Sequence, residues 1–204
     1  MHLLARLLLP VLALSGPLVT PAHAGEGAAS TAVTPRPIAG HPVLELRGGV
    51  DTTALGRDDA PLPTLCAEVT PLDRLSVEAC GNGAGVLHQQ DVPDTMHLRM
   101  RYAPVRVRRG AGEASLVVGA GMTEVTNGAD EPGFRFGAAT SADQVEAAGA
   151  ELSTGVKARW WPHPRAYVTF EIGGGAAWIP AAPTVVGTSG PIVGFGAVTV
   201  GAGF

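Results

Sequence analysis

Residues 148–161 read AGAELSTGVKARWW. In an extended chain successive side chains point to opposite sides. Ala148, Ala150, Leu152, Thr154, Val156, Ala158 and Trp160 therefore share one face, and Glu151, Ser153, Lys157, Arg159 and Trp161 share the other. The first face is mostly apolar along the whole stretch. The second carries both signs of charge. A strand crossing a bilayer needs about 9–11 residues, apolar toward lipid and polar toward the interior. Few strands of water-soluble folds need an alternation this long.

The pattern continues on both sides. Residues 165–180, RAYVTFEIGGGAAWIP, place Ala166, Val168, Phe170, Ile172, Gly174, Ala176 and Trp178 opposite Tyr167, Thr169, Glu171, Gly173 and Gly175. Only a short Pro-His-Pro stretch, 162–164, separates the two segments, which predicts an antiparallel hairpin. Residues 191–204, PIVGFGAVTVGAGF, set Val198, Val200, Ala202 and Phe204 against Ala197, Thr199, Gly201 and Gly203. Toward the N-terminus, 43–51 sets Leu44, Leu46, Gly48 and Val50 against Glu45, Arg47, Gly49 and Asp51. Further segments are read at 75–88, at 95–109 with a phase shift at Pro104, at 113–125, and as a short strand in GFRFG, 133–137. These make eight strands, the smallest even number used by bacterial single-chain barrels.

With short turns on the periplasmic side, residues 52–73, 138–145 and 180–190 become external loops. Trp160, Trp161, Tyr167 and Phe204 then mark the periplasmic interface, and Trp178 and Tyr102 the outer one, as amphipathic aromatics favour those levels.

The chain opens with MHLLARLLLPVLALSGPLVTPAHAG. Arg6 gives a positive n-region, Leu7 to Leu14 an apolar core, and Ala22-His23-Ala24 a small-x-small cleavage pattern. We expect a signal peptide over 1–24, cut after Ala24. That leaves 180 residues (204 minus 24), the size of one domain. Residues 25–42 read as a flexible lead-in and 43–204 as the barrel. Only 16% of the residues are charged and 28 are Gly. Soluble domains usually carry about 25% charge. A net charge of −4 and the lack of a basic domain argue against nucleic-acid binding.

The closing V-T-V-G-A-G-F, together with the leader and the amphipathic strands, resembles the end of outer-membrane barrel proteins. Residues 43–204 are similar in architecture to the small eight-stranded barrels of the OmpA membrane-domain, OmpX and OmpW types. The resemblance implies the outer membrane of a Gram-negative bacterium, contact with outer-membrane lipids and lipopolysaccharide, and recognition of Phe204 as an assembly signal by the barrel assembly machinery. It implies no oligomeric state. Members of this broad group act in envelope integrity, adhesion, small-solute passage or lipid modification.

Cys66 and Cys80 are the only cysteines and form a candidate disulfide in an oxidising compartment, tying the first external loop to the second predicted strand; the alternative is two buried thiols. Glu45, Arg47, Asp51, Glu78, Arg99, Arg101, Glu151, Lys157, Arg159 and Glu171 are predicted to point inward. An eight-stranded barrel is just wide enough for side chains to fill, so these charges are expected to pair across the lumen. No catalytic residue, metal ligand or cofactor site is assigned. A lipid-modifying enzyme of this size would place a His and a Ser together facing lipid; His88, His97 and His163 lack a neighbouring Ser in sequence, leaving Ser76, Ser115 and Ser153 as cross-strand partners. The expectation is a non-enzymatic envelope barrel. The alternatives are a narrow passive pore, a lipid-modifying enzyme, and a soluble secreted β-protein.

Overall fold

The computed structural model describes residues 43–53, 61–82, 93–127 and 134–204. The leader, the lead-in 25–42 and His88 lie outside the described residues. The rest is all β apart from one helical turn. In chain order the elements are β1 (Val43–Asp51), β2 (Leu62–Leu72), β3 (Leu75–Gly81), β4 (Pro93–Arg109), β5 (Gly112–Asn127), β6 (Glu146–His163), β7 (Ala166–Trp178), α1 (Ala182–Val185) and β8 (Ile192–Gly203). Each strand pairs antiparallel with its sequence neighbour, and β8 pairs with β1, so the sheet is a closed eight-stranded barrel. Across this seam Leu44 and Phe204 exchange both backbone hydrogen bonds, at 3.1 and 3.0 Å.

The number of strands matches the expectation, but two members differ. Residues 62–72, expected within an external loop, are β2. Its prolines disguise it: Pro63 lies near the strand's start, ahead of the β3 pairing that begins at Leu65, and Pro71 falls in a bulge. GFRFG is not a barrel strand; Phe136 makes a single parallel bridge to Ala148. The exchange reverses the direction of the segments between. Tyr102 pairs with Leu75, beside the tight turn at 73–74, and so lies at the short-turn end with Trp160, not at the end with Trp178.

Three bulges share one design. Thr70-Pro71, Ala103-Pro104 and Trp161-Pro162 each oppose a single residue of the neighbouring strand. Proline has no N–H for the ladder, and a bulge is where that loss is tolerated. In two of them the residue before the proline still donates outward, Ala103 to Arg74 O and Trp161 to Ala111 O, both at 2.9 Å. Each bulge reverses the in–out phase. Val105 and Val107 are therefore exposed on the odd positions after Pro104, although Met100 and Tyr102 are exposed on the even ones before it.

The barrel is inverted relative to a water-soluble fold. Every strand exposes large apolar side chains on its outer face, from Leu46 on β1 to Val200 on β8. On β6, outward Leu152 is 70% exposed and inward Lys157 1%.

Candidate functional site: the charged lumen

The lumen is layered. At the long-loop end of β5 to β8 the inward positions Val125, Ala147, Ala177 and Val193 are small and apolar. The connection 179–191 folds back over them, burying Ile179, Ala181, Ala182, Val185 and Val186. Pro183 in the first turn of α1 suits a fixed helical φ, and Gly187, at φ +71°, follows Val186 and ends the turn. Asn127 Nδ2 donates to Val185 O at 3.1 Å. This stretch, expected to be an external loop, is an apolar cap in the barrel mouth.

Below the cap sits His97. Its Nδ1 lies 2.6 Å from Glu151 Oε2 and 3.1 Å from Thr123 Oγ1, and its ring is 4.6 Å from that of Phe195. Asp51, at the same level, has a carboxylate oxygen 3.9 Å from His97 Nε2. His97 faces the lumen, and so do Ser76 and Ser115. His163 lies exposed at the edge of the turn after β6. The described residues thus hold no His–Ser pair on the outer face of the barrel.

Next comes the Cys66–Cys80 disulfide. The two cysteines are directly opposed on β2 and β3, buried inside the barrel, with Arg99 Nη2 3.7 Å from Cys80 Sγ. The bond therefore ties two adjacent strands in the lumen, and not a loop to a strand.

The centre is an ion network. Among the described residues, Arg47, Arg99, Arg101, Lys157 and Arg159 face Glu45, Glu68, Glu78, Glu151 and Glu171, five cations against five carboxylates. Arg47 contacts Glu45 at 2.9 Å, Glu68 at 3.0 Å and Glu171 at 2.5 Å, and also bonds Glu78. Arg101 reaches Glu68 at 2.6 Å and bonds Glu78 and Glu171. Lys157 Nζ sits among Glu45, Glu68 and Glu171 at 3.0, 2.5 and 3.3 Å. Arg99 joins Glu78 at 2.5 Å to Glu151 at 3.2 Å, linking the network to the His97 layer. Buried ions are tolerated only when paired and hydrogen-bonded, and here each charge has at least one opposite neighbour and most have several.

Close approach across the sheet makes room for these long side chains. A Cβ on Gly201 would lie 2.7 Å from Arg47 Cγ, and one on Gly203 would fall within the Tyr167 ring. Tyr167 uses that space to donate its hydroxyl to Glu45 at 2.8 Å. At the short-turn end Tyr167 packs against Trp161, with centroids 5.3 Å apart, and Arg108 stacks on Trp161 at 4.8 Å. Trp161, 4% exposed, and Tyr167 therefore close the lumen floor; Trp160, 57% exposed, and Phe204 face outward.

All ten charged residues predicted to point inward do so. Asp51 stands at the His97 level, outside the central network. Glu68 was missed because β2 was read as loop and Glu113 because it stands at the first position of its predicted segment; His97 was weighed only as a partner for a Ser. Two small cavities, of about 30 and 20 Å³, flank the network. Each has room for a water or two and neither makes a channel.

No protein-family model matches the chain, and no curated protein matches it. Among solved structures it is similar to Neisserial surface protein A (8% identity, TM-score 0.48, covering 79% of this chain and 95% of that one). It is similar also to the N-terminal β-barrel domain of OprF from Pseudomonas aeruginosa (12%, 0.44, 79% and 97%). A third is Ail, the attachment invasion locus protein of Yersinia pestis (10%, 0.39, 80% and 99%). The chain thus resembles small outer-membrane barrel proteins, none at high identity.

Proposed function

We propose that this protein is an integral, non-enzymatic barrel of the Gram-negative outer membrane, with a structural or surface-interaction role and a lumen closed by ion pairs. One observation carries the reading: among the described residues the barrel keeps a paired network of five cations and five carboxylates at the centre of its lumen, and an apolar face outside on every strand. In water that arrangement would expose a continuous apolar surface far larger than soluble monomers show. In a bilayer each side chain meets its preferred medium. The network fills the lumen, which favours a plug over a passage. Export by residues 1–24, contact with outer-membrane lipids and lipopolysaccharide, and recognition of Phe204 by the barrel assembly machinery belong to the same proposal.

The test is expression with the native leader, followed by carbonate extraction and electrophoresis of boiled and unboiled outer-membrane fractions. Carbonate-resistant protein whose mobility changes on boiling is expected, with a mature N-terminus at Gly25. Purified protein in planar bilayers is expected to give no steady conductance. Regular channels would return the pore reading. A soluble periplasmic product with no mobility change would return the secreted β-protein.

A further inference from the structure

The two ends of the barrel differ in charge. By sequence, the connections 52–61, 82–92, 128–145 and 179–191 hold six Asp or Glu and two Arg. The opposite end is basic. Arg74 lies in the β2–β3 turn, Arg108 and Arg109 end β4, and Arg165 lies in the β6–β7 turn, all exposed. The acidic residues there are Asp73, which pairs with Arg106 at 2.7 Å and Arg74 at 3.6 Å, and buried Glu113. Each of the three tight hairpins thus carries arginine at its tip or flank.

Directly adjoining this rim, the outer face presents Tyr102, Val105, Val107, Trp160 and Phe204, all exposed. Aromatic rings of this kind settle at the boundary between acyl chains and headgroups. With Trp160 at that boundary, the hairpin tips just beyond it stand at the depth of the phosphates. Guanidinium groups bind phosphate through charge and paired N–H donors.

We propose that this rim binds the phosphates of anionic glycerophospholipids, of the phosphatidylglycerol type, through Arg74, Arg109 and Arg165. The inference rests on the membrane reading above. It adds a lipid preference, carried by the short-turn end, which faces the leaflet that contains these lipids, while the acidic connections face away from it.

The experiment uses the full mature chain in a Trp178→Phe background, so that Trp160 is the outward tryptophan. The protein is folded into phosphatidylcholine vesicles, and quenching is measured with brominated phosphatidylglycerol and brominated phosphatidylcholine. The expected preference for the anionic lipid is about fivefold or more, since one basic residue near an anionic surface contributes roughly that factor. It should fall to near unity in Arg74→Asn/Arg109→Ser/Arg165→Ser. Asn is chosen at 74 because Arg74 has φ +67°, a region Asn tolerates. A retained heat-dependent mobility shift shows that the variant folds. Independently of any variant, the wild-type preference should decline as salt is raised. A ratio of unity in the wild type, or a preference that neither salt nor the substitutions reduce, overturns the proposal. Stronger competition by free lipid A than by phosphatidylglycerol overturns the assignment to glycerophospholipid. Absence of quenching by either brominated lipid overturns the membrane reading, and this proposal with it.

Discussion

Lys157 and Glu68 meet across the barrel, β6 to β2, with Nζ 2.5 Å from a carboxylate oxygen. The ammonium also contacts Glu45 and Glu171, so it is a shared counter-ion to three buried carboxylates. Lys157→Met removes the cation and leaves the anions in place. Breaking a buried pair from one side costs about 3–5 kcal/mol. We expect a loss of that order in urea unfolding followed by tryptophan fluorescence in detergent micelles. Lys157→Arg should recover much of it. A loss below ~1 kcal/mol, the range of exposed pairs, would mean that water reaches the network.

The Cys66–Cys80 bond joins residues 14 positions apart on neighbouring strands. The register of β2 on β3 is also fixed by the ladder from Leu65 to Val69. Reduction, or the paired change to Ser, should leave the boiled–unboiled mobility difference intact. It should lower unfolding stability by about 3 kcal/mol, the usual contribution for a loop of this length. Loss of the mobility difference on reduction would show that the bond is required for closure.

The residue count at the Pro104 bulge sets the facing of the β4 end. Deleting Pro104 removes the bulge together with its extra residue, so regular alternation from Ala103 keeps Val105 and Val107 outward and Arg106 inward. Inserting one alanine after Pro104 instead turns Val105 and Val107 inward and Arg106 and Arg108 outward. So near the interface, two outward arginines should cost about 1–2 kcal/mol. The decisive readout is labelling of Val107→Cys in a background with Cys66 and Cys80 changed to Ser. A lipid-phase maleimide should modify it in the parent and after deletion of Pro104, and much less after the insertion. Equal labelling in all three would sink the account.

The apolar cap should be separable from the barrel. Val185 is buried in the mouth, next to Ile179 and Ala182. Val185→Asp places a carboxylate there without a partner. We expect fast hydrogen exchange and protease cleavage confined to 179–191, with the heat-dependent shift of the barrel preserved. Ile179→Ala should cost about 2–5 kcal/mol if the cap unfolds with the barrel, and almost nothing globally if it opens alone.

The long strands β6, β7 and β8 were legible because a barrel wall enforces period two, and Leu152 against Lys157 shows it in either sequence or structure. β2 was not. Its inward residues are Thr64, Cys66, Glu68 and Thr70, a proper alternation, but Pro61, Pro63 and Pro71 read as loop. Those prolines occupy the strand's approach, its start and a bulge, positions where a missing N–H leaves the ladder intact. GFRFG misled in the opposite sense, because alternating Phe residues mimic a strand wherever they fall. The facing of the charges followed from strand parity alone. Their partners did not: Arg47 meets Glu171, 124 positions away, and only closure of the ring brings them together. The cap was invisible because AAPTVV has no periodicity long enough to assign a face.

The seam between β1 and β8 has a consequence for synthesis. Val43 is among the first barrel residues to leave the ribosome, and Phe204 is the last, yet Leu44 and Phe204 form one hydrogen-bonded pair. Until the eighth strand pairs with it, β1 has an unsatisfied edge, and Glu45 and Glu171, on strands that only β8 joins, are not held together around the cations of β4 and β6. Closure of the ring therefore waits for β8, and the β1–β8 pairing is the kind of non-local contact that slows folding.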